Sequence, residues 1–167
     1  MDRAVDPAQR CRYSGEVMAK LDRAAIEQLL HERFPEFFHA GNEIVSVGGG
    51  AAALQLDVTA SHLRPGGTVS GPVLMTLADS VAFVAILAEV GPVLMALTSS
   101  MTIHFLRRAQ PGRLIGQANI AKLGRNLAVV QVEIHASSTD EPVAIASVAY
   151  AIPNLVDQTE RSPSSID

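Results

Sequence analysis

The chain has 167 residues, enough for one domain with a real core, and 48% of them are hydrophobic, but it has no Trp and only 4% aromatic content. The core must therefore be aliphatic and alanine-rich. A net charge of −4 excludes a general nucleic-acid binder, and one cysteine, Cys11, excludes an internal disulfide framework and fits a reducing compartment. Five scattered histidines (His31, His39, His62, His104, His135) without a second cysteine offer no zinc set, so no metal is expected.

In chain order, residues 1–18 are polar and unpatterned and read as a tail without the apolar run of a signal peptide; a cytoplasmic protein is expected. The single domain expected over 19–153 opens with an amphipathic helix from about Lys20 to Phe34, with Leu21, Ile26, Leu29, Leu30 and Phe34 on one side and Pro35 ending it. Phe34, Phe37 and Phe38 are expected to plug one end of the core. Gly41 to Thr59 then gives two short strands, EIVSV and AALQLDV, joined by a hairpin at Gly48-Gly49-Gly50.

The rest of the chain is organised around Arg64 to Gly91. A Gly- and Pro-rich loop leads into about five helical turns whose only polar residues are Thr76, Asp79, Ser80 and, near the end, Glu89; Gly91-Pro92 stops the helix. A helix apolar on all sides is expected to be buried all round, by a sheet that curls round it with or without the help of a partner subunit. Thr76, Asp79, Ser80 and Phe83 share one face. A buried carboxylate is costly unless paired, so Asp79 is the residue to explain, either as a structural acid or as a functional one. A membrane span over Val69 to Ala88 has suitable length, but Asp79 would sit near the bilayer centre and alternating strands follow, so no membrane partner is expected.

Period-two patterns follow: LTSSMTIHFL, Leu114 to Leu123, LAVVQVEIHA (Ala128, Val130, Val132 and Ile134 inward) and VAIASVAYAI, separated by turns. Residues 154–167 read as a second loose tail. Strands plus one long apolar helix predict an α+β fold with a curved antiparallel sheet of about six strands around a central helix, the hot-dog arrangement.

Ser70-Gly71-Pro72 followed by Leu77-Ala78-Asp79, with TSSMTIHFLRRAQPG, KLGRNLAVVQVEI and the closing strand, resembles the PaaI-like branch of the hot-dog acyl-CoA thioesterases from about Ile44 to Pro153. That branch typically has His-Gly-Gly where this chain has Ser70-Gly71-Pro72, and often an Asn or Gln in the preceding loop, where this chain offers Arg64 and Thr68. The resemblance implies thioester hydrolysis at a site between subunits of a homodimer, often within a homotetramer. It also implies that Thr98 orients the attacking water and that Arg125 touches the carrier.

The chemistry needs an attacking group, a donor to the oxyanion and a grip on the carrier. Asp79 fits the first as general base or as nucleophile. The Gly71 N–H, at a helix N-terminus, fits the second, with Ser70 able to donate or accept beside it. Arg107, Arg108, Lys122 and Arg125 lie in or beside turns and suit the phosphates of coenzyme A, which enters as part of the substrate and not as a cofactor. Gly71 and Asp79 are eight residues apart, roughly 12 Å along one helix. Two antiparallel copies would bring Gly71 of one chain to Asp79 of the other, so a catalytic pair requires at least a homodimer. Two other readings are a non-catalytic acyl-CoA or fatty-acid binding protein and a hot-dog hydratase or dehydratase. The latter is weakened because no histidine lies between His62 and His104.

Overall fold

The computed structural model describes residues 20–139 and 141–153; the two tails and Cys11 lie outside them. Helix α1 spans Arg23–Arg33, capped by Asp22, whose carboxylate accepts from the Ala25 N–H at 2.8 Å. Ile26 and Leu30 are its fully buried residues. Pro35 breaks the helix and starts a single further turn, α2 (Glu36–His39), that the sequence pattern did not show. Of the three phenylalanines, only Phe37 is buried; Phe34 is 43% exposed, so the expected aromatic plug is mainly one ring.

Strands β1 (Asn42–Gly48) and β2 (Ala51–Asp57) form the expected hairpin. Its turn uses positive φ at Gly48, Gly49 and Gly50, which only glycine adopts freely three times running. The long helix α3 runs Gly71–Val90 and ends at Gly91 with φ 100°. Strands β3 (Leu97–Phe105), β4 (Arg113–Leu123), β5 (Leu127–Ala136) and β6 (Pro142–Ala151) complete a six-stranded antiparallel sheet of order β1-β2-β4-β5-β6-β3. This is the expected α+β hot-dog fold. Ala128, Val130, Val132 and Ile134 are buried, as their alternation predicts.

By length and composition α3 could cross a membrane, but in this fold it is the core helix and packs mainly on β4, β2 and β5 of its own chain. Gly116 on β4 makes the closest approach. A Cβ there would lie 3.1 Å from Leu77 Cγ and 3.4 Å from Val81 Cγ1, both on α3. Gly116→Val is therefore expected to overpack the helix–sheet contact and destabilise the protein by about 1–3 kcal/mol, read as a lower denaturant midpoint.

Two expectations need correction. First, its own chain does not cover α3 on every side: Pro72, Met75 and Thr76 are exposed, and Asp79, Ser80 and Phe83 are only partly buried. One sheet covers one side of a helix, and in this chain it reaches the C-terminal half more completely than the N-terminal half. Second, β3 is an edge strand whose two faces are both largely open. Its simple alternation is interrupted by a bulge between Thr98 and Ser100 opposite β6. Met95 and Leu97 are each 63% exposed and Phe105 is 51% exposed along or beside this edge.

Candidate functional site

Asp79 sits two turns into α3, on its open side. Two hydroxyls reach the same oxygen: Thr98 Oγ1 donates to Asp79 Oδ1 at 2.6 Å, and Tyr150 Oη lies 2.6 Å from Oδ1 and 3.0 Å from the Asp79 carbonyl oxygen. Thr98, the second residue of β3, pairs in register with Tyr150 on β6, so the edge of the sheet delivers both groups side by side. Tyr150 is buried and its ring stacks on Phe83, one helical turn beyond Asp79, with centroids 6.2 Å apart. Burial, followed by the hydrogen bond to Asp79, holds the Tyr150 phenol well above its ordinary range, so it is a donor and never a base here.

Tyr150 carries no role in the sequence reading. Its signal is nevertheless present: it is the one polar-tipped side chain on the inward register of an otherwise aliphatic strand, and a buried Tyr hydroxyl usually finds a partner.

At the other end of the open helix face, Gly71 is the first helical residue, and its N–H has no acceptor among the described residues. Ser70 is the N-cap, yet its hydroxyl makes no capping bond. Pro72 has no N–H at all, which removes the second donor from this terminus and leaves Gly71 as the foremost one. The Phe105 ring covers Gly71, close enough that a Cβ there would meet it at 3.4 Å. A cleft of about 410 Å³ opens beside them, lined by Arg64, Thr68, Gly71, Phe105, Arg107 and Arg108 among others. Arg64 Nε donates to the buried Thr68 hydroxyl at 3.0 Å, which holds the loop before the helix.

The structure separates the predicted residues into two groups. Asp79 and Thr98 meet, while Gly71, Ser70, Arg107 and Arg108 gather at the opposite end of the helix face. Arg107 is occupied by Glu141 at 2.6 Å and by the Pro142 carbonyl; Arg108 faces the cleft without a polar partner among the described residues. Lys122 and Arg125 are exposed at the β4–β5 turn. This turn is tied through Asn126 to Ile152 and so lies at the Asp79 end of the sheet. No single chain therefore brings Asp79 to Gly71, or all four basic side chains to one place.

The sequence profile of the thioesterase superfamily matches residues 66–143. A solved structure from Silicibacter sp. TM1040, described as a candidate thioesterase, is 35% identical, with a TM-score of 0.72 over 83% of this chain and 96% of that one. The PaaI protein of the Escherichia coli phenylacetic acid degradation operon is 26% identical, with a TM-score of 0.67 over 77% and 91%. A phenylacetic acid degradation-related candidate thioesterase of Ralstonia eutropha is also 26% identical, with a TM-score of 0.68 over 76% and 98%. No curated protein matched. Fold and matched region agree, and the chain belongs to the hot-dog thioesterase superfamily.

Proposed function

We propose that this protein hydrolyses acyl-CoA thioesters to free acid and coenzyme A, in sites formed between two antiparallel copies of α3. The observation that carries the reading is the open helix face, with a held carboxylate at one end and, at the other, an N–H without an acceptor among the described residues. In the proposed dimer, Asp79 of one copy faces Gly71 of its partner. The Gly71 N–H, at the positive end of a helix, receives the charge that develops on the thioester oxygen. Asp79 either takes the proton of an attacking water or attacks the carbonyl itself, while Thr98 and Ser70 orient the groups around it.

The exposed apolar edge at Met95, Leu97 and Phe105 supports the pairing, since an edge strand with uncovered apolar side chains is a template for another chain. The same antiparallel arrangement would bring Arg107 and Arg108 of one copy toward Lys122 and Arg125 of the other. Arg108, lining the cleft without a partner, then suits a coenzyme A phosphate best. Arg107 is already paired with Glu141, an exposed contact that a phosphate can replace at small cost.

The test is thiol release from short, medium, long and aryl acyl-CoAs, with Asp79→Ala run beside the wild type. Release by the wild type that disappears in the variant is the expected result, and the best substrate identifies the acyl class. A folded wild-type dimer that releases no thiol from any member of the panel overturns the reading in favour of an acyl-CoA binding protein.

A further inference from the structure

We infer that Tyr150 is a positioning residue that, with Thr98, fixes the Asp79 carboxylate so that Oδ2 is its reacting oxygen. This rests on the thioesterase reading of the same site. An aspartate turns easily about its last torsion, where the energy wells are broad and two-fold, so its two oxygens ordinarily exchange places. Here two hydroxyls converge on Oδ1 at 2.6 Å each, and among the described residues nothing donates to Oδ2. A carboxylate oxygen that accepts two hydrogen bonds has little remaining capacity for a water. Oδ2 therefore keeps its lone pairs free of any donor among the described residues, on a helix face that is only partly covered.

The two donors are not equivalent. Thr98 lies on the exposed edge strand, where its hydroxyl can rotate toward solvent. Tyr150 is buried and its ring is stacked on Phe83 of the helix, so the ring holds its hydroxyl in place beside Asp79. Its raised pKa keeps the proton on the phenol throughout the working range of the enzyme. The rigid donor sets the carboxylate plane, and the mobile one completes it. Tyr150 is buried with its hydroxyl on Asp79, so the residue acts through Asp79.

The experiment is Tyr150→Phe, which retains the ring beside Phe83 and deletes only the hydroxyl. With the best acyl-CoA from the panel, kcat is expected to fall about ten- to hundred-fold, the range set by losing a hydrogen bond to a charged group. KM should change less than about twofold, because ground-state binding of substrate does not involve the phenol. An unchanged kcat overturns the inference, and so does a loss confined to KM. Should the variant also lose thermal stability, a double-mutant cycle with Thr98→Val decides the matter. A general loss of folded protein is common to both arms of the cycle and cancels. Two donors acting as one unit on Oδ1 give a strongly non-additive effect on kcat, whereas additive effects overturn the inference. A wild type inactive on every acyl-CoA refutes the parent reading instead, and that result is obtained before any variant is made.

Discussion

Asp79→Asn is expected to reduce thiol release by about 10²–10⁴-fold, the contribution typical of a positioned acid–base group, while acyl-CoA binding persists. Asparagine has the shape of aspartate, and its carbonyl oxygen can accept from both Thr98 and Tyr150 as Oδ1 does. Those two donors then orient the amide. Its NH₂ group, which has no lone pair to offer, takes the place of Oδ2. The variant so keeps the fold and the hydrogen bonds and loses only the base or nucleophile. Calorimetric titration with a tight-binding acyl-CoA, run beside the thiol-release assay, separates the two properties. Turnover within tenfold of wild type would remove Asp79 from the chemistry and shift attention to Ser70. Loss of binding together with turnover would show instead that the charge organises the site.

The fold was legible because its signals are local and periodic. The uninterrupted apolar run of α3, the alternation in β5 and the glycine turn after β1 each state their element directly. Asp79 stood out by the same logic, as the one charge in the middle of an apolar helix. Thr98 was reached through a family resemblance, and the structure brings its hydroxyl to Asp79. Tyr150 was marked by its strand only as a buried hydroxyl in need of a partner; which partner depends on the pairing of β6 with β3, a contact across 52 residues of sequence that no local pattern encodes. What covers the open face of α3 was not legible for a related reason. An apolar helix announces that it is covered, but its sequence does not distinguish cover by its own sheet from cover by another chain. Met75, 43% exposed in the single chain, is apolar like its buried neighbours and carries no mark of the difference.

That ambiguity leads to the test of the shared site, which is expected to be decided by complementation. Gly71→Pro removes the N–H that the mechanism assigns to the oxyanion. Proline is accepted at the first helical position, and Ser70 at φ −75°, ψ 149° already has the conformation that precedes proline. No internal hydrogen bond is lost, since the Gly71 N–H has no acceptor among the described residues. The added Cβ meets Phe105 at an ordinary 3.4 Å. Gly71→Ala adds the same Cβ before Pro72 but keeps the N–H, so it isolates any steric effect. Loss of an oxyanion donor should cost Gly71→Pro about 10²–10³-fold in kcat, with Gly71→Ala much closer to wild type. The Gly71→Pro chain is then coexpressed with the Asp79→Asn chain under a second tag, and the heterodimer is purified through both tags. If each site takes Gly71 from one copy and Asp79 from the other, this heterodimer has one intact site and one doubly defective site. Its turnover should recover to about half that of the wild-type dimer, although both parents are nearly inactive, because a two-fold interface holds two equivalent sites. Sites contained within one chain predict no recovery, since every site would then carry one defect. The distance along α3 argues for recovery: eight residues of helix separate the two groups, roughly 12 Å, and a single thioester carbonyl cannot span that gap.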